Sequence, residues 1–226
     1  SKKTLLNYHT GLSALWTWAF AEGLAHRHIL HDIRPPRPEK RLILPLSEDD
    51  IRSLLGAIAH SKPYNNRGTI ASHSLPHVDR NRAILLLLLD TGMRADELCG
   101  AQICDLDLKN RRVKVHGKGD RDRSIPFCHR TGQAIWKYLA SRKDQLPNSP
   151  LFVTTEDTPF DRHRLYKQLL SIGQRAGVAD VHPHRFRHTF AINYLRNGGD
   201  PYTLQVSLGH ASLDMVKKYL SIARAD

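Results

Sequence analysis

The sequence predicts an α+β fold that is mainly α-helical and carries a small antiparallel sheet. Three observations predict it. Most apolar residues recur at helical spacing in segments closed by capping residues. One stretch alternates apolar and polar residues around a glycine-rich turn. The 226-residue chain, 40% hydrophobic, is long enough for one sizeable core with part of a second domain attached.

In order along the chain, Thr4 to Glu22 reads as an amphipathic helix, with Leu5, Leu12, Leu15, Trp16 and Ala19 near one face and Gly23 closing it. Leu24 to Ile33 reads as a short helical turn. Arg34-Pro-Pro-Arg-Pro-Glu-Lys-Arg41 then packs three prolines and four basic residues into eight positions, the composition of an extended basic linker. These features predict three parts: residues 1–33, a linker at 34–44, and a larger domain at 45–226. Ser47-Glu-Asp-Asp50 is a helix-capping pattern that feeds a helix to about Ala59. His60 to His77 has no periodicity and reads as a long loop. Asn81 to Leu89 is apolar nearly all round, hence a buried helix, and helical pattern resumes over Ala95 to Gly100.

The sheet falls in the middle. Val113 to His116 alternates, Gly117-Lys-Gly-Asp120 turns, and Arg123 to Phe127 returns, with Leu106 to Leu108 as a third strand. Thr131 to Arg142 is helical by spacing, Leu151 to Val153 is extended, and Arg162 to Arg175 is a helix ended by Gly177. Pro183 opens a helix running to Arg196, Pro201 opens a shorter one ending at Gly209, and Ser212 starts the last.

Composition narrows the partners. The chain has 34 Lys and Arg against 22 Asp and Glu, a formal net charge of +12, which favours a polyanion because neutralised phosphates release counterions. Membrane-surface and ribosomal proteins are basic too, so charge alone leaves the partner open. The longest apolar run, within Ala83 to Leu89, falls far short of a bilayer span, and no charged leader opens the chain, so the expectation is a cytoplasmic protein without membrane contact. Cys99, Cys104 and Cys128 have neither disulfide parity nor Cys-x-x-Cys spacing, and read as small core residues of a protein in a reducing compartment.

Candidate chemistry sits in five short strings. Arg94, in Thr91-Gly-Met-Arg-Ala-Asp-Glu97-Leu, lies where one helix ends and another begins; its guanidinium can make paired hydrogen bonds to phosphate, with Glu97 orienting it. An arginine there is also an ordinary surface ion pair. Lys118, between two glycines, has an ammonium able to reach a leaving oxygen, or is a solvated turn residue. His184 and Arg187, three apart in His-Arg-Phe-Arg-His-Thr, share a helix face. His184 and His188 have the i, i+4 spacing of metal ligands, but no Glu follows His184 and four basic residues would crowd a cation, so no metal or other cofactor is expected. His210, in Leu-Gly-His, precedes Tyr219, in Val-Lys-Lys-Tyr, by nine residues. Together these groups could break and remake a phosphodiester bond, although any one tyrosine is more often a packing residue.

Taken in this order, the strings resemble the tyrosine recombinase (phage integrase) family over about residues 45 to 220. The resemblance implies a catalytic domain of that fold. It implies Arg94 and Arg187 as phosphate clamps, Lys118 as the acid for the 5′ oxygen, and His184 as a proton-handling residue. His210 would bond the scissile phosphate, and Tyr219 would be the nucleophile that forms a 3′-phosphotyrosine link. The partners it implies are double-stranded DNA and further protomers assembled on it, with Arg34, Arg37, Lys40, Arg41, Arg121 and Arg123 as backbone contacts. Members usually carry a complete helical core-binding domain before the linker. Residues 1–33 are therefore expected to be the end of a truncated one, and the chain a monomer without DNA. The alternatives are a DNA-binding or architectural protein of this fold without turnover, a type IB topoisomerase-like enzyme, and, more distantly, a metal-dependent nuclease.

Overall fold

A computed structural model of the chain describes residues 1–37, 43–61, 64–66, 69–117, 122–142, 146–210 and 212–223. The chain forms two compact units, Ser1–Leu42 and Ile43–Asp226. The first is built on one helix, α1 (Lys2–Ala21), whose N-terminus is capped by the Ser1 hydroxyl accepting from the Thr4 amide at 3.2 Å. No residue of α1 is buried, and Leu5, Tyr8, Leu12 and Leu15 are exposed. The expected helical turn over Leu24 to Ile33 is instead a run of hydrogen-bonded turns, including His31 N–H to the His28 carbonyl and Ile33 N–H to the Leu30 carbonyl. Both bonds are of the i to i−3 kind, which close turns rather than propagate an α-helix.

In the second unit, Leu46 is pinned by its amide donating to the buried Thr189 hydroxyl at 2.9 Å. Helix α2 (Glu48–Ala57) then starts on a capping box in which Ser47 and Asp50 each accept from the other's amide. The stretch read as a loop from His60 to His77 holds a two-stranded antiparallel hairpin, β1 (Tyr64–Asn66) with β2 (Thr69–Ala71). Strands of three residues are too short to print an alternating pattern on the sequence.

Helix α3 (Val78–Thr91) is the spine. Ile84, Leu85, Leu87 and Leu88 are fully buried, and it packs against α5 (His129–Ala140) and α7 (Pro183–Arg196). A helix enclosed on most of its faces must be apolar on most of them, as the Leu-rich run requires. Gly92 ends it in the left-handed region at φ 57°, and a Cβ there would stand 2.5 Å from the Phe190 ring, so only glycine lets α3 and α7 meet at this point. The chain turns directly into α4 (Ala95–Gly100) and then a short 3-10 turn at Ile103–Asp105.

The three-stranded sheet has the order β3 (Leu106–Asp107), β4 (Arg112–Val115), β5 (Arg123–Pro126), all antiparallel, with Val113 opposite Ile125 and Val115 opposite Arg123. Val113, Val115 and Ile125 face the core and their neighbours face out, the pattern of a sheet covered on one side. Helix α6 (Arg162–Ala176) packs on α2, and α9 (Asp214–Ala223) packs on α7. Between them lies α8 (Pro201–Leu208), opened by Pro201 and closed by Gly209 at φ 62°. Ala191, Ile192, Leu204, Leu208, Val216 and Tyr219 make a small second core that docks α8 and α9 on α7.

The cysteines correct their sequence reading. Cys104 and Cys128 are exposed and Cys99 is half-buried; Cys128 holds the N-cap position of α5, a place set by backbone geometry rather than by apolar packing. No helix among the described residues is long and apolar enough to cross a membrane.

Gly173 gives a stability test. A Cβ there would stand 2.6 Å from Val181 Cγ2 and 2.9 Å from the Val178 carbonyl, while the Val178 amide already bonds the Gly173 carbonyl at 2.9 Å. Gly173→Ala is therefore expected to cost about 1–3 kcal/mol through overpacking. The cost should appear as a lower urea midpoint at an unchanged m value; an unchanged midpoint would show that the loop after α6 spreads freely.

Candidate active site

The α3–α4 and α8–α9 junctions, together with helices α7 and α9, bring the described candidate residues together. Arg94 is the N-cap residue of α4, on the short link from α3. Its amide donates to Glu97 Oε2 at 2.7 Å, and its guanidinium donates to Glu97 Oε1 at 3.0 Å and to the Gly209 carbonyl at 3.0 Å. Glu97 is also held by Arg123, whose Nη2 donates to Glu97 Oε2 at 2.9 Å while its Nε donates to the Ser207 carbonyl at 2.7 Å. Burial pushes the Glu97 carboxyl up, but hydrogen bonds from Arg123 and Arg94 outweigh it and hold the group below the usual carboxylate range. One buried carboxylate thus fixes two guanidiniums.

Arg187 reaches the same place from α7. It is buried, 3% exposed, and donates to the Gly92 carbonyl at 2.9 Å and the Leu208 carbonyl at 2.6 Å, tying the end of α3 to the end of α8. Burial, and then the Arg94 charge, lower its pKa to about 10. The two guanidinium charges repel each other, and an anion between them would be held by both. A guanidinium has five N–H donors, so each arginine keeps capacity beyond the bonds described.

The aromatic groups stack beside the arginines. The His184 and His188 rings meet edge to face at 4.6 Å between centroids, His188 meets the Tyr219 ring edge to face at 5.1 Å, and His210 lies nearly parallel to Tyr219 at 6.1 Å. Burial, with neighbouring positive charge second, lowers the pKa of all three histidines, those of His188 and His210 to about 4. The shifts favour the neutral rings near pH 7, each with one N–H to donate and one lone pair to accept a hydrogen bond. Tyr219 is buried, and its phenol is pushed up by burial against the opposing pull of Arg187, which approaches without meeting hydrogen-bond geometry. Tyr219 Oη, His188 Nδ1 and His210 Nδ1 are buried without a hydrogen-bond partner among the described residues. Unpaired buried polar atoms are costly, and three at one spot mark a place arranged for something other than packing.

A cleft of about 990 Å³ opens beside this cluster, lined by Arg94, Glu97, Lys114, His116, Arg123, Gln205, Gly209 and His210 among others. Among the described residues, no group of three or more His, Cys, Asp or Glu converges as metal ligands would. Of the remaining candidates, Arg34 and Arg37 are exposed in the first unit, whereas Lys40, Arg41, Lys118 and Arg121 lie outside the described residues. The sequence did not single out the place of His188 against Tyr219 or the internal engagement of Arg123, because both are contacts between distant segments.

Residues 46–225 match the sequence profile of the phage integrase family. The chain belongs to that family. Among curated relatives it is 33% identical over 211 residues to tyrosine recombinase XerD of Mycobacterium tuberculosis, an alignment covering 91% of this chain and 65% of that protein. It is 30% identical over 230 residues to tyrosine recombinase XerC of Thermodesulfovibrio yellowstonii, covering 98% of this chain and 72% of that one. The chain thus spans about two thirds of the length of these relatives. Among solved structures, XerA recombinase is 29% identical with a TM-score of 0.66, over 94% of this chain and 70% of that one. The Tn1549 transposon integrase, solved with a circular intermediate DNA, shares the fold at 22% identity and a TM-score of 0.76, over 97% of this phage integrase family chain and 75% of that one.

Proposed function

We propose that this chain is the catalytic part of a site-specific DNA recombinase that cleaves and rejoins strands through Tyr219. The observation that carries the proposal is the meeting of Arg94 and His210, from the α3–α4 and α8–α9 junctions, with His184 and Arg187 of α7 and Tyr219 of α9, around polar atoms with no hydrogen-bond partner among the described residues. The Tyr219 oxygen attacks the scissile phosphorus and forms a 3′-phosphotyrosine as the bond to the 5′ oxygen breaks. Arg94 and Arg187 hold the charge that gathers on the non-bridging oxygens, and neutral His184 and His210 accept or hold protons. Lys118 gives the departing 5′ oxygen its proton. Attack by a second strand's 5′ hydroxyl on the phosphotyrosine reverses the step and joins the new partner.

Double-stranded DNA is the proposed substrate. The net charge of +12 and the exposed Arg34 and Arg37 supply sequence-independent phosphate contacts, so affinity falls with salt. The free chain is proposed to be a monomer that assembles with other protomers only on DNA. Guanidinium and ammonium groups take the place of a metal. Incubation with nicked duplex DNA in excess EDTA is therefore expected to leave a protein–DNA adduct that survives denaturation. Loss of the adduct on chelation, with recovery on adding magnesium or zinc, would return a metal-dependent nuclease to favour.

A further inference from the structure

At the ends of β4 and β5, which Lys118 separates in sequence, is a charged cluster that the catalytic scheme does not use. His116 follows β4 directly, and Asp122 immediately precedes β5, so the two residues flank the segment 117–121. The His116 ring lies between two carboxylates. Its Nε2 is 2.9 Å from Asp105 Oδ1 and its Nδ1 is 3.1 Å from Asp122 Oδ1. Asp105 is a firm anchor, because it is buried in the 3-10 turn and its other oxygen accepts from the Gln102 amide at 2.8 Å. Asp122 is held on its other side by Lys114 Nζ at 2.8 Å.

A neutral imidazole has one N–H and one lone pair, so it can satisfy only one of the two carboxylates and turns its lone pair on the other. The imidazolium donates to both. We propose that His116 is a positioning residue whose charged form ties the end of β4 to the start of β5 and both to Asp105, and thereby helps present Lys118, which lies between them in sequence, to the leaving 5′ oxygen. The proposal rests on the reading of Lys118 as the proton donor.

The charges around the ring agree in sign. Asp105 faces it from the 3-10 turn, Asp122 from the start of β5, and Lys114 from β4; Asp96, Glu97, Arg94 and Arg123 line the same cleft, with Glu97 already engaged by the two arginines. The hydrogen bond to Asp105, with that to Asp122, raises the pKa of His116 against a smaller effect of burial. The clamp is therefore closed below that raised value and opens as pH rises through it. Because the ring is about half exposed, added salt weakens the clamp.

Two measurements test this. Titration of the His116 ring nitrogens in the free protein by NMR is expected to give a midpoint above the ordinary value of about 6.5, and Asp105→Asn should lower it. A midpoint at or below the ordinary value would overturn the clamp without recourse to any His116 variant. The second compares single-turnover cleavage of an ordinary phosphodiester with that of a 5′-bridging phosphorothiolate, whose leaving group needs no acid. Both substrates use Tyr219, so the ratio of the two rates isolates leaving-group protonation. His116→Gln is expected to lower that ratio on the order of tenfold, part of the 10² to 10⁴ a general acid supplies. It should also flatten the fall of the wild-type ratio across the His116 titration. If Lys118→Ala lowers the ratio while His116→Gln slows both substrates equally, or neither, Lys118 is the acid and the clamp is refuted. If Lys118→Ala itself slows both equally, the reading of Lys118 fails and the clamp fails with it.

Discussion

Replacement of Tyr219 by phenylalanine is expected to abolish covalent attachment to DNA while leaving the protein folded and its DNA affinity close to that of the wild type. The substitution removes one oxygen, and with it the group that would form the phosphotyrosine bond. Loss of an essential nucleophile commonly costs on the order of 10⁴ to 10⁶ in rate. The structure adds an expectation about stability. Tyr219 Oη is buried and has no partner among the described residues, so its removal relieves a buried polar atom rather than breaking a bond. Its ring, packed between His188 and His210 and against the small core of α7, α8 and α9, stays in place. The thermal midpoint of Tyr219→Phe should therefore equal or slightly exceed that of the wild type. A denaturation-resistant adduct in the variant would remove Tyr219 from its role; a large fall in midpoint would show that the hydroxyl is a structural partner after all.

Much of the fold was legible because its signals are local. Ser47 with Asp50, Pro183, Pro201, Gly177 and Gly209 mark helix ends through capping and backbone conformation, which depend on the residues at hand. The alternation in Val113 to Val115, opposite Ile125, marked the sheet for the same reason. The features that went unread depend on distant partners or on too little chain. The β1–β2 hairpin offers three residues a strand, and the exposure of Cys104 and Cys128 follows from where the 3-10 turn and α5 start, not from the chemistry of a thiol.

The candidate site divides along the same line. Each string holding Arg94, Arg187, His210 or Tyr219 could be quoted from the sequence, yet no string says that Arg123 reaches back 26 residues to Glu97, or that His188 stands edge-on to Tyr219. Glu97 was expected to orient Arg94, and in the structure it accepts from the amide and guanidinium of Arg94 and from Arg123 besides. A sequence names the donors of a site more readily than the groups that hold the donors still.

Arg187→Ala should combine two losses that separate experimentally. The guanidinium is the only described hydrogen-bond link from α7 to the Gly92 and Leu208 carbonyls. Without it both buried acceptors lose a charged donor, at roughly 1–3 kcal/mol each. For a domain of this size each kcal/mol lowers the midpoint by about 2–4 °C, so the variant should melt well below the wild type. If Arg187 holds the phosphate as proposed, cleavage should fall further than the unfolded fraction explains, because one such charge-stabilising group is worth about 10² to 10³ in rate. Single-turnover cleavage measured well below the variant's melting point isolates that second loss. Arg187→Lys separates the roles again: an ammonium restores the charge but, without the planar fork, cannot span Gly92, Leu208 and a phosphate together. It should recover part of the rate and little of the midpoint. If Arg187→Ala, shown to be folded at the assay temperature, cleaves within tenfold of the wild type, then Arg187 ties the junction of α3, α7 and α8 together and does not hold the phosphate.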